Sequence, residues 1–267
     1  RIAYMLNQGI KPESILAVTF TKKAATEMLS RLKKIISSKK QVESISIGTY
    51  HSVFLSILEN NYSLLGFSSE RKPSLCLDSR QKNALKSIIT EINASFVSDE
   101  ALTLIGQIKN MGVYPEEMAY LVSQGKNVLI GVNEEDQVEI SRIYSAYQKY
   151  LIEANLIDFD DILMLTRKLL QTNQEVKTYF QNKFKYLLVD EFQDVNQVQY
   201  DITRMLAAPH NNLFVVGDDA QSIYQFRGSD VDIILNFSQE YPNTKIIKLE
   251  SNYRCTPEII DISNKVI

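Results

Sequence analysis

Residues 185–194 read KYLLVDEFQD: an apolar run from Tyr186 to Val189 that ends on two adjacent acids, Asp190 and Glu191, with a third, Asp194, three positions on. A short apolar run bounded in this way predicts a buried strand. Burying a carboxylate costs free energy, so strands do not end on paired acids by default. Working outward, strand-then-helix units recur. ILAVTF (15–20) leads into KKAATEMLSRLKKII (22–36), ISIGTY (45–50) into HSVFLSILENNY (51–62), and the acidic strand into NQVQYDITRMLAA (196–208). LFVVGD (213–218) and KIIKLE (245–250) predict two further strands. This alternation predicts an α/β fold, a parallel sheet with crossover helices.

From about Gly66 to Asn155 the rhythm changes and strand signals nearly vanish. Helical patterns take over at SRQKNALKSIITEI, ALTLIGQIKNM, PEEMAYLVS and VEISRIYSAYQKYLIEA, with Asp78 expected to cap the first. The stretch predicts an inserted helical subdomain, in which Cys76 and Tyr114, Tyr120, Tyr144, Tyr147 and Tyr150 are read as packing residues. Near the far end, Thr256, Pro257 and Glu258 supply an N-cap, a proline at the first helical position and a first-turn acid, so a helix is expected there. At the other end RIAYMLNQG reads as a helix stopped by Gly9 but preceded by no cap, which suggests a fragment.

The chain has 267 residues, 45% of them apolar and 23% charged, with net charge −3. These values describe a globular protein able to bury a substantial core. No charged-then-apolar leader and no membrane-length apolar run is evident. Cys76 and Cys255 fit no metal spacing and are expected to be reduced thiols in a cytoplasmic protein. The net charge advertises no nucleic acid, so basic patches are judged locally. Lys22, Lys23, Arg31, Lys33 and Lys34 lie on one helical stretch near Phe20 and Tyr50, and basic residues beside aromatics suit single strands. Lys39 and Lys40, farther along, read better as a solvated face.

In open parallel sheets, ligands bind beyond the carboxyl ends of the strands. Sorted that way, TFTK, GTYH, DEFQD, GDDAQSIYQFRG and ESNYR all belong on one edge. Paired acids at a strand end are what phosphate chemistry needs: one holds Mg²⁺, the other orients or deprotonates water. A glutamine such as Gln221 suits a γ-phosphate, an arginine such as Arg227 or Arg254 neutralises developing charge, and Tyr253 offers a face for a base. Each alone has an ordinary reading as a surface or packing residue.

Taken in order, VTFTKKAATEM, IGTYHS, DFDDIL, LLVDEFQDVNQVQY, VVGDDAQSIYQFRGSD and LESNYR resemble the motif series of the superfamily-one DNA helicases of the UvrD/Rep/PcrA family. The resemblance spans nearly the whole chain. It implies a RecA-like ATP-binding motor domain (1–66 and 156–267) with an inserted helical subdomain (67–155), from an enzyme that hydrolyses ATP and moves 3′ to 5′ on single-stranded DNA, unwinding at single/double-strand junctions in repair or replication. It further implies Asp190 on Mg²⁺, Glu191 as catalytic base, Gln221 as γ-phosphate sensor, Tyr253 stacking on adenine and Arg254 on the γ-phosphate. Phe20, Thr21, Thr49, Tyr50, His51, Tyr224, Phe226 and Arg227 would follow the DNA, although His51 is equally suited to capping its helix.

Two departures stand out. Phe226 occupies a position where many relatives carry tryptophan. No GxxxxGK[ST] phosphate loop occurs in this sequence. The family places that loop upstream of the opening helix and a second motor domain downstream, so both are expected outside this chain. Its strand is expected within the sheet, so its loss should leave strands unpaired, and the 267 residues alone should fold poorly and show no DNA-stimulated ATPase. Two other readings remain open: the helicase subunit of a helicase–nuclease recombination complex, and a non-catalytic DNA-binding module.

Overall fold

A computed structural model describes residues 1–68, 70–225 and 228–266. The elements run α1 (Ile2–Asn7), β1 (Ile15–Thr19), α2 (Lys22–Ile35), α3 (Lys39–Ser44), β2 (Ser46–Thr49) and α4 (Tyr50–Leu58). Next come β3 (Ser74–Leu75), α5 (Asp78–Glu91), α6 (Ser98–Asn110), α7 (Pro115–Ser123), α8 (Glu134–Glu153) and β4 (Leu156–Ile157). Then follow α9 (Phe159–Thr172), α10 (Gln174–Lys183), β5 (Tyr186–Val189), α11 (Gln197–Ala207) and β6 (Leu213–Val215). The short helices α12 (Asp232–Leu235) and α13 (Phe237–Glu240) precede α14 (Pro257–Val266).

The main sheet has the order β2-β1-β5-β6, and every pairing is parallel. β1 is buried at all its positions, as a strand covered on both faces must be. Successive side chains point to opposite faces. Ile15 and Ala17 therefore pack with Ile2, Met5, Leu32 and Val42 from α1, α2 and α3, whereas Leu16 and Val18 pack with Phe54, Leu163 and Val198 from α4, α9 and α11. β5 divides the same way, with Leu188 on the first face and Leu187 and Val189 on the second. Helices thus cover both faces of a RecA-like parallel sheet, and the register Thr19↔Thr49 and Val18↔Val189 aligns the carboxyl ends along one edge.

Residues between Cys76 and Leu156 build a separate apolar core around Leu85, Ile105, Ile108, Met118, Ile140, Tyr144 and Tyr147. Its neck is a two-stranded parallel ribbon, β3 with β4, which two-residue strands leave without a readable periodicity. One ion network joins α6 to the start of α9. Buried Lys109 Nζ donates to Asp158 Oδ2 at 2.7 Å and Asp161 Oδ1 at 2.8 Å. Asp158 and Asp161 also form a capping box, and Tyr147 and Gln148 of α8 donate to them.

Several expectations need correction. Asp78 is the first helical residue rather than the cap; Leu77 holds that position, and Asp78 contributes as a first-turn acid facing the helix dipole. KIIKLE forms no strand: Ile246, Ile247 and Leu249 are exposed, because a strand exists only with a hydrogen-bonding neighbour and this segment has none among the described residues. Among the described residues β2, β1, β5 and β6 pair in an unbroken row, and β6 is left as an edge strand, in line with the expected loss of a pairing partner. Tyr120 is exposed, unlike Tyr144 and Tyr147. Both cysteines are free thiols, Cys76 buried in the second core. No helix among the described residues is long and apolar enough to cross a membrane.

Candidate nucleotide and nucleic-acid site

β5 delivers Asp190 and Glu191 to the carboxyl edge. Asp190 continues the ladder, its N–H donating to Val18 O at 3.0 Å. Glu191 then adopts the left-handed conformation, φ 53° and ψ 48°. A non-glycine residue there costs of order 1–3 kcal/mol and persists only when its surroundings enforce it. Phe192 is that anchor: fully buried, it meets Phe237 and Tyr200 edge-to-face. The chain therefore turns sharply and leaves the Glu191 carboxylate exposed beside half-buried Asp190.

Burial, and then the neighbouring Glu191 carboxylate, push Asp190 above the usual carboxylate range. Neither acid has an ion-pair partner among the described residues. Among the described residues no three histidine, cysteine or acidic side chains converge as a metal cage. That donor set fits Mg²⁺, which binds through one or two carboxylates and keeps waters and phosphate oxygens as its other ligands.

The loop after β6 packs on the same turn. Gln193, almost fully buried, donates from Nε2 to Glu191 Oε2 at 2.9 Å and accepts the Asp218 N–H on Oε1 at 3.1 Å. Gly217 permits this approach, because a Cβ there would stand 2.6 Å from Gln193 Oε1. Exposed Gln221 donates to Asp218 Oδ2 at 2.6 Å. Gln193 carried no assigned role in the sequence; its position inside DEFQD was the only signal.

Beyond β1 and β2 lies a cleft of about 510 Å³ between the sheet edge and α6. Phe20 and Tyr224 face each other across 5.0 Å at its rim. Thr21 and Thr49 cap α2 and α4, accepting from Ala24 N and Ser52 N. His51 is half-buried, its pKa pushed down by burial, and packs edge-on against exposed Phe159. Tyr50 lies in the core with its hydroxyl near Thr203, so it forms the floor of the cleft, not its surface.

Polar residues that the sequence reading left unassigned line the other wall. Asn196 Nδ2 donates to Asn110 Oδ1 at 2.6 Å, and Asn110 Nδ2 to Asp160 Oδ1 at 3.3 Å. Asp194 Oδ1 and Ser229 Oγ are buried without a partner among the described residues. A larger groove of about 990 Å³ beside β2, α4 and α10 contains none of the candidate residues.

Tyr253 and Arg254 are not gathered in. Tyr253 is 96% exposed, and no hydrogen bond, ion pair or ring contact among the described residues ties either side chain to Asp190, Glu191 or Gln221. KIIKLE, which forms no strand, does not carry them to the sheet edge. Phe226 and Arg227 lie outside the described residues.

The UvrD/REP helicase N-terminal domain profile matches residues 1–242. Proteins named ATP-dependent DNA helicase PcrA from Staphylococcus aureus and Staphylococcus epidermidis are each 37% identical over 268 residues, covering all of this chain and 35% of their own length. The chain thus spans about a third of those relatives. With acids at the end of β5, an aromatic cleft on the same edge and a profile match across most of its residues, this chain belongs to the UvrD/REP helicase N-terminal domain family.

Proposed function

We propose that the protein containing this chain is an ATP-dependent DNA helicase that translocates 3′ to 5′ along single-stranded DNA, in repair or replication in the cytoplasm. The observation that carries the reading is the shared edge: paired acids enforced by a strained turn, beside an aromatic cleft. Hydrolysis and DNA contact then sit on one rigid sheet, as coupling requires.

In this reading residues 1–66 and 156–267 are the motor domain and 67–155 an inserted subdomain. Asp190 would hold Mg²⁺, which supplies charge neutralisation at the phosphates. Glu191 takes the proton of the attacking water, and its exposed carboxylate suits that task. Gln221 senses the γ-phosphate. Tyr253 and Arg254 act on the nucleotide once an ordered neighbour positions them, and a second motor domain in the longer protein is the proposed neighbour. Phe20 and Tyr224 stack on bases, with Thr21, Thr49, His51, Phe226 and Arg227 along the strand and Tyr50 supporting from below. Partners are single-stranded DNA and single/double-strand junctions.

The test is unwinding by the complete protein of a duplex bearing a 3′ or a 5′ single-stranded tail, with ATP and Mg²⁺. Unwinding of the 3′-tailed duplex alone is expected. Preference for the 5′ tail would reverse the direction, and absence of unwinding with intact DNA binding would favour a non-catalytic module.

A further inference from the structure

We propose that Gln193 is the positioning residue that links DNA occupancy of the cleft to the geometry of Glu191. The inference rests on the reading of Glu191 as the hydrolytic base. Three bonds converge on Gln193. Its amide donates to Glu191 Oε2 at 2.9 Å, its carbonyl oxygen Oε1 accepts from the Asp218 backbone at 3.1 Å, and its main-chain oxygen accepts from Ser222 Oγ at 3.3 Å. Only one orientation of the amide satisfies both side-chain neighbours, and the glutamine amide supplies both the donor and the acceptor that they require.

Both ends of the bridge are informative. On one side is the exposed carboxylate of Glu191, whose backbone is fixed but whose side chain has, among the described residues, no other hydrogen-bond partner than Gln193. On the other side Asp218 also receives Gln221 Nε2 at 2.6 Å, so base and γ-phosphate sensor are joined through two residues. The same loop continues to Tyr224, whose ring meets Phe20 at the rim of the cleft. It then doubles back on the strand-end segment, Asp230 N donating to Val195 O at 3.1 Å. A base inserted between the rings of Phe20 and Tyr224, which stand 5.0 Å apart, moves Tyr224 and the short stretch behind it. Gln193 is where that stretch grips Glu191, and Gly217 leaves no slack, since any Cβ there would overlap the Gln193 amide.

The experiment compares steady-state ATP hydrolysis by the complete wild-type protein, Gln193→Met and Gln193→Glu, each with and without oligo(dT). Methionine keeps the volume and loses both side-chain bonds. Glutamate keeps the acceptor for Asp218 but cannot donate to Glu191. Thermal melts establish that each variant is folded, and if one is not, the other carries the test. KM for ATP should stay within about twofold, while the ratio of DNA-stimulated to unstimulated kcat falls about threefold or more. A smaller change in that ratio in a folded variant overturns the proposal, whatever the absolute rates do, because a merely structural glutamine would lower both rates together. No stimulation of the wild-type protein would instead remove the helicase reading itself.

Discussion

Replacing Lys109 with methionine removes the only cation facing two buried carboxylates among the described residues. Lys109 is fully buried, and its partners Asp158 and Asp161 have side-chain exposures of 4% and 2%. Removing one partner of a buried ion pair costs about 3–5 kcal/mol, because the remaining charge is left uncompensated. Tyr147, Gln148 and the capping-box amides still bond the carboxylates, which argues for the lower half of that range. For a chain of this size each kcal/mol moves the melting temperature by roughly 2–4 °C, so Lys109→Met should melt roughly 6–16 °C lower by far-UV circular dichroism.

The sign of the pH dependence follows. Burial and the neighbouring Asp158 already push Asp161 upward. Without Lys109 the Asp161 pKa rises further above its unfolded value, so its contribution favours the native state at low pH and is lost as pH rises. The deficit should therefore be largest near about pH 8 and shrink toward about pH 5. Asp158→Asn in the Lys109→Met background should recover part of the loss. A melting temperature unchanged by Lys109→Met, or a deficit equal at both pH values, would refute the reasoning.

Three other predictions follow from the cleft and the sheet. Asp160 is held at about 6 by burial and the nearby Asp158, so its ionisation opposes folding as pH rises through that value; Asp160→Asn should stabilise the protein near pH 8, by at most about 3 kcal/mol before allowance for its partial exposure, and leave it unchanged near pH 4 in denaturant titrations. Phe20→Ala should weaken binding of a short single-stranded oligonucleotide by roughly 1–3 kcal/mol in fluorescence anisotropy, and unchanged affinity would make the Phe20–Tyr224 pair a packing contact. Gly217→Ala should lower kcat more than KM, because its methyl group would displace Gln193 and Ile234 together; an unaltered kcat would show that the loop has slack.

The parallel sheet was legible because β1 and β5 are apolar runs long enough to be buried on both faces, and their polar successors then had to share an edge. Asp190 and Glu191 were legible for the same reason. What sequence could not carry was the cooperation of distant residues. Lys109 looks like any surface lysine on an amphipathic helix until Asp158 and Asp161 are brought to it from about 50 residues away. KIIKLE has strand composition, but composition does not supply a pairing partner, so Tyr253 and Arg254 remain outside the site. Gln193 was hidden because its meaning lies in Asp218 and Gly217, which only the parallel arrangement of β5 and β6 brings near.

The central claim is that the acids ending β5 form a hydrolytic site, and Glu191→Gln in the complete protein tests it most directly. The amide keeps the shape and loses the base, so ATP turnover with single-stranded DNA should fall by ~10²–10⁴ while binding of a fluorescent ATP analogue stays within about twofold. Turnover near the wild-type rate would contradict the account, because the proton would then be leaving through a residue other than Glu191.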